Sequence, residues 1–224
     1  MKKRAANLDQ SERYDALAPM RPDIYILLAA LLAGQPGLEL IDLIKRLQWD
    51  DTVPAGMQRQ LAALNRACSN CTVAVIADEF HRLFVGLGSG ELVPYGSWYR
   101  EKTIQSTPLA AIRDDLLRLG IVRQADSHES EDHAGALCEI MALISDQEND
   151  VPLAMQAHFF DKHIAPWMGV FFRDLQEVQD VKFYRVVGAL GSSFIEAESE
   201  YLQESLNCHD DLNQGGMQDD SKIF

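Results

Sequence analysis

Apolar residues recur along this chain at steps of three and four, and nowhere do they alternate over the length of a strand. Leu40, Ile44 and Leu47 form one stripe; Met57, Leu61, Leu64 and Cys68 a second; Val73, Ile76, Phe80 and Leu83 a third; Leu109, Ile112, Leu116 and Leu119 a fourth. Such steps gather side chains on one face of a 3.6-residue helix, so the expected class is all-α. Punctuation agrees with the stripes. Thr107-Pro108 and Asp150-Val151-Pro152 read as helix starts, Gly34, Gly86 and Gly120 as stops, and Pro166 ends the helix that opens near 151. The spacing predicts about nine helices, near 23–33, 37–48, 55–69, 72–85, 107–119, 132–146, 151–164, 167–178 and 182–204.

Two stretches interrupt the helices for longer than a tight turn: Gly86 to Lys102, rich in glycine and aromatics, and Val122 to Asp132. The second divides the chain into an N-terminal helical portion (1–121), an acidic hinge (122–131) and a C-terminal helical portion (132–205). Residues 206–224 are polar, acidic and aperiodic, the composition of a disordered tail. No internal repeat at solenoid spacing is present.

At 224 residues and 47% hydrophobic, the chain can bury a sizeable core. Its 34 acidic against 20 basic side chains give a formal charge of −14, which disfavours nucleic acid and favours a cationic partner. The basic start MKKRAANLDQSERYD has no apolar run directly behind it, so a secretory signal is not expected. The longest apolar run, Ile24 to Ala33, is about half of the roughly 20 residues that a spanning helix needs. These features predict a cytoplasmic protein without stable membrane insertion, its four cysteines reduced.

Several motifs offer chemistry. Cys68-Ser69-Asn70-Cys71 is a lone CxxC with helical flanks and no second pair, a weak signal for zinc or redox. Gly86, Gly88 and Gly90 imitate a phosphate loop but follow a helix and precede no Lys-Ser/Thr. His158 and His163, five apart, fall on different helix faces, and His163 reads as a partly buried, hydrogen-bonded histidine. From Gln124 to Asp150 the chain carries eight acids and no Lys or Arg. Within that window Asp132 is a natural N-cap or first-turn acid; His128, Asp132 and His133 are a poor chelating set, because adjacent helical side chains diverge by about 100°. No nucleophile motif accompanies His133. Recognition of an arginine-bearing peptide is the physically sensible reading of the acidic bias, since carboxylates accept guanidinium bidentately. A small helical hydrolase or phosphatase using Asp132 and His133, and a non-catalytic helical scaffold, stand as alternatives.

Four blocks in order, RLFVG (82–86), PYGSWYRE (94–101), EDH (131–133) and HIAPWMGVFFRDL (163–175), resemble the TorD/DmsD branch of the redox-enzyme maturation chaperones, over about residues 23–205. The resemblance implies a non-enzymatic all-helical chaperone. It would bind the twin-arginine signal peptide of a molybdenum-cofactor oxidoreductase and its apo form, holding the precursor back until the cofactor is inserted. It also implies that Asp132 and His133 lie in the peptide-binding region with Tyr95, Trp98 and Tyr99 as neighbours, and Glu129 and Glu131 as hinge acids. No cofactor or metal of its own is implied, although weak guanine-nucleotide binding is sometimes associated with the family; monomer and homodimer are both compatible. The chain departs from the family where Ser130 and Glu131 stand before the Asp-His pair, and at Leu87, both places where proline is common. Trp167, Phe171, Phe172 and Leu175 fall at helical spacing and are expected in the core.

Overall fold

Two helices that are apolar on nearly every side have to be covered on every side, and they form the centre of the molecule. They are α1 (Arg21–Leu32) and α7 (Ala134–Ser145), packed lengthwise on each other. Gly135 permits the approach: a Cβ there would stand 3.0 Å from the backbone nitrogen of Ala33. The computed structural model describes residues 17–48, 53–86, 90–101, 106–122 and 130–215, with backbone alone at 106–108 and 208–215.

The remaining helices are α2 (Leu38–Arg46), α3 (Ala55–Asn70), α4 (Val73–Phe80), α5 (Gly96–Glu101), α6 (Ser106–Arg118), α8 (Leu153–His163), α9 (Met168–Glu177) and α10 (Phe183–Gly215). α9 packs on α10, α10 on α3, and α2 on α3. The fold is all-α: among the described residues there is no strand, only an isolated bridge between Tyr95 and His133.

One apolar cluster draws side chains from both sides of the 122–131 segment, from Ile24 and Leu61 to Phe160 and Phe194. Trp167, Phe171, Phe172 and Leu175 lie fully inside it, as their spacing predicts. Polar ties cross the same divide. The Arg21 guanidinium grips Glu198 through two 2.8 Å bonds, both residues buried. The Tyr184 hydroxyl donates to the Leu31 carbonyl at 2.9 Å. The buried Glu79 carboxylate accepts the backbone N–H groups of Lys182, Phe183 and Tyr184 at 2.8–3.1 Å, satisfying donors that the start of α10 leaves open.

The structure differs from the sequence expectations in four places. α5 was not expected. The helix near 72–85 is α-helical only to Phe80 and continues as a π turn over His81–Val85. α8 starts at Leu153 with Pro152 at its N-cap position, while Asp150 takes a left-handed conformation (φ 51°) one turn earlier and caps nothing by its side chain in α8. α10 continues to Gly215, through the first ten residues of the segment expected to be disordered; residues 216–224 lie outside the described set, as do 123–129 of the hinge. Among the described residues no helix is long and apolar enough to cross a membrane.

Candidate functional site

The glycine- and aromatic-rich segment before α5 and the acidic turn before α7 are built into each other. Tyr95 and His133 form the bridge, the Gly96 N–H donates to the Asp132 carbonyl at 2.9 Å, and the Ala134 N–H donates to the Pro94 carbonyl at 2.8 Å. Asp132 is 1% exposed. Its Oδ2 accepts the Ser97 N–H at 3.0 Å and its Oδ1 the Ser130 hydroxyl at 2.6 Å.

Asp132 is therefore a cap, but of the wrong helix for the sequence expectation: it serves α5, 35 residues away, and not α7. His133 occupies the α7 N-cap. Its extended backbone (φ −66°, ψ 138°) turns the ring back so that Nδ1 accepts the Gly135 N–H at 3.1 Å. An accepting Nδ1 places the proton of the neutral ring on Nε2. The ring meets Tyr95 edge-on at 5.0 Å.

Around this junction Trp98 is 38% exposed and Tyr95 and Tyr99 are half-buried. The Tyr99 hydroxyl donates to Asp174 at 2.9 Å and its ring lies 5.5 Å from Trp167; burial first, and then the Asp174 carboxylate, raise its phenol above the ordinary value. Trp167 in turn donates Nε1–H to the His163 carbonyl at 2.8 Å. Glu131, nearly buried, accepts a two-pronged grip from Arg113 of α6, at 2.8 and 3.1 Å. The structure thus brings together Tyr95, Trp98, Tyr99, Glu131, Asp132 and His133; Glu129 and His128 lie outside the described residues. Ser97, Ser130, Arg113 and Asp174 complete the arrangement and carry no signal in the sequence, because most of their partners are 18 to 75 residues away.

A second ionic cluster lies where α6 meets α8. Asp115, 3% exposed, receives Lys162 at 2.6 Å, His163 at 2.8 Å and Arg118 at 2.9 Å, with His158 at 3.7 Å. The two histidines were expected on different faces, yet both reach this carboxylate. Burial pushes the Asp115 carboxyl up, but the bonds and charges of Lys162 and His163 outweigh it and hold the group at about 2. Burial lowers His163 below the usual histidine value despite Asp115.

The other motifs are quiet. Burial pushes the Cys68 thiol up to about 11, so at neutral pH it is no nucleophile, and Cys71 is shifted upward too. Among the described residues no group of three or more His, Cys, Asp or Glu could hold a metal ion. Gly88 and Leu87 lie outside the described residues.

The family model described as nitrate reductase delta subunit matches residues 50–173, more than half of the chain. A protein of Haemophilus influenzae described as a Tat proofreading chaperone, DmsD, is 29% identical over 117 residues, which are 51% of this chain and 56% of that protein. The match thus spans little more than half the length of that relative. A crystal structure from Archaeoglobus fulgidus, described as a redox enzyme maturation protein, superposes with a TM-score of 0.54 at 14% identity, over 79% of this chain and 94% of the other, a likeness of fold. The chain belongs to the nitrate reductase delta subunit family, that of the TorD- and DmsD-type redox-enzyme maturation chaperones, whose members are chaperones and not catalysts.

Proposed function

We propose that this protein is a cytoplasmic chaperone that binds the twin-arginine signal peptide of a molybdenum-cofactor oxidoreductase. It assists maturation of the apoenzyme and insertion of the cofactor before export. The reading includes no resident cofactor, no metal and no nucleic acid, and it is compatible with a monomer or a homodimer.

The observation that supports it best is the grip of Arg113 on Glu131, whose neighbour Asp132 holds the N–H of Ser97, the residue before the exposed Trp98. The acidic turn already holds one guanidinium in the planar, two-pronged geometry that a peptide arginine would use. Trp98 offers, one residue from Ser97, an apolar face that could bury the hydrophobic part of a signal peptide at about 25 cal/mol per Å². Asp132 and His133, through their bonds to Ser97 and Gly135, act in this reading by fixing α5 and α7 against each other, so that Tyr95, Trp98 and Tyr99 are presented on a rigid frame.

Calorimetric titration with twin-arginine signal peptides and twin-lysine controls tests this. Micromolar binding that requires the arginines, and that drops in a folded Trp98→Ala variant, is the expected result. Equal binding of the lysine peptides, or none of either, overturns it.

A further inference from the structure

A cavity of about 290 Å³ opens between the end of α6 and the first two turns of α8, beside the Asp115 cluster. Leu119, Ala154, Met155 and Phe159 form its apolar walls, and Asp115, Arg118 and His158 its polar edge. The volume lies just under the roughly 300–1,000 Å³ of small-molecule pockets and gives room for one phenyl or branched alkyl group.

Apolar surface continues at the same end of α6. Leu117, in the last turn of that helix, and Val122, four residues past it, are 73% and 83% exposed, the highest values for large apolar side chains among the described residues. A cavity sized for one side chain, with bare apolar surface at the same helix end, suits a segment of a larger partner better than a free small molecule.

The polar edge has a preference opposite to that of the chain as a whole, whose formal charge is −14. Both oxygens of Asp115 are taken, Oδ1 by Arg118 at 2.9 Å and Oδ2 by Lys162 at 2.6 Å and His163 at 2.8 Å. Asp115 is 3% exposed, so an incoming group meets Arg118 and His158 instead, whose side chains are 68% and 58% exposed. Arg118 gives an N–H of Nη1 to Asp115 and forms no other bond among the described residues, which leaves its Nε–Nη2 edge whole. That edge is a planar fork matched to the two oxygens of a carboxylate. His158 stays 3.7 Å from Asp115, beyond hydrogen-bond reach, so its ring N–H is open as well. Asp114 and Asp161, the exposed acids that neighbour Asp115 and Lys162 in sequence, stand outside the walls.

We propose that this cavity docks an acidic, apolar segment of a protein partner. One large apolar side chain enters between α6 and α8 while a neighbouring carboxylate of the partner pairs with Arg118. The chemistry is the reverse of that of a twin-arginine peptide, and the proposal does not rest on the signal-peptide reading.

The test is NMR titration of the full chain with an acetylated, amidated helical peptide that carries phenylalanine and glutamate four positions apart, on one face. Control peptides replace the phenylalanine by alanine or the glutamate by glutamine. Saturable shifts at the methyl groups of Met155 and Leu119 are expected, with affinity at least about tenfold lower without the phenylalanine, the scale of burying one large apolar side chain. Removing the glutamate charge should weaken binding roughly two- to fivefold, the range of an exposed ion pair. Arg118→Gln should weaken the glutamate peptide by the same factor and leave the glutamine peptide unchanged. Ala154→Phe, at an exposed wall position, should fill the cavity and abolish binding of both. Thermal melting checks that the variants fold, and should Arg118→Gln fail to do so, Ala154→Phe and the control peptides decide. Shifts that do not saturate, equal affinity without the phenylalanine or without the glutamate charge, an equal loss for both peptides in Arg118→Gln, or unchanged binding in Ala154→Phe overturn the proposal. So does a concentration-dependent dimer that Ala154→Phe dissolves, which makes a second copy of the chain the occupant.

Discussion

The carboxylate of Asp132 accepts the backbone N–H of Ser97 at 3.0 Å, tying the turn before α7 to the first turn of α5. α5 is six residues long, far below the 12–15 at which an isolated helix becomes even marginal in water. It exists because the buried carboxylate satisfies one of its open donors and the Asp132 carbonyl takes another, from Gly96. Asp132→Ala should therefore cost about 1–3 kcal/mol, the penalty of leaving the Ser97 N–H buried without a partner. Asp132→Asn keeps an acceptor for Ser97 and should cost less. Urea unfolding of both variants checks this, and an Asp132→Ala variant as stable as the parent would refute the capping role.

That same bond marks the limit of what the sequence reveals. The all-α class, eight of the helices to within a few residues and the burial of Trp167, Phe171, Phe172 and Leu175 follow from local spacing, since each stripe needs only its own three- and four-residue steps. α5 does not. Its sequence, GSWYRE, opens on glycine and serine followed by two bulky aromatics, and its stability comes from Asp132 and from Trp167, against which a Cβ at Gly96 would stand 2.9 Å from Nε1. The cap exchange at 132–133 was hidden for the same reason. Asp132 ahead of an apolar run is a sound N-cap by sequence, and only the distant Ser97 N–H draws it away and leaves the N-cap to His133. Residues of the candidate site could be picked out by their resemblance to a family, but the grip of Arg113 on Glu131 and the cluster around Asp115 are tertiary facts.

The Asp115 cluster should set the acid limb of stability. A carboxyl held at about 2 when folded and near 4 when unfolded binds fewer protons in the native state between those values. Its contribution is fully present above about pH 5 and is lost as pH falls toward 2. His163, lowered on folding, acts in the same direction: the unfolded chain takes up its proton first as pH drops below about 6.5, so stability declines from there. Lys162 and His163 hold the same carboxylate ionised down to that value, and Arg118 and His158 also face it, at 2.9 and 3.7 Å. Asp115→Asn should flatten the decline between pH 5 and 2 by on the order of 1–2 kcal/mol while lowering stability at pH 7. Chemical denaturation at a series of pH values measures both, and an unchanged acid limb would rule the cluster out as its source.

Arg113 offers a sharper probe of the acidic turn. Its side chain is 57% exposed and its two bonds to Glu131 end on a carboxylate that is 8% exposed, so the pair is an accessible guanidinium lying on a nearly buried acceptor. A peptide arginine entering there must first displace it. The internal grip then works as a competitor for any ligand that takes Glu131, and removing it should raise apparent affinity, because the binding-competent state no longer has to be opened. Arg113→Gln should tighten binding of a twin-arginine peptide roughly two- to fivefold, the range set by exposed ion pairs. Arg113→Lys should fall between the parent and Arg113→Gln, since an ammonium cannot reproduce the two-pronged contact. Glu131→Gln should weaken binding, as it removes the charge and leaves one acceptor oxygen where a guanidinium uses two. The gain in Arg113→Gln should also shrink with salt, which screens an exposed contact more strongly than a buried one. If Arg113→Gln instead binds more weakly while its melting temperature is unchanged, Arg113 shapes the site and Glu131 is its permanent partner, not a seat for an incoming arginine.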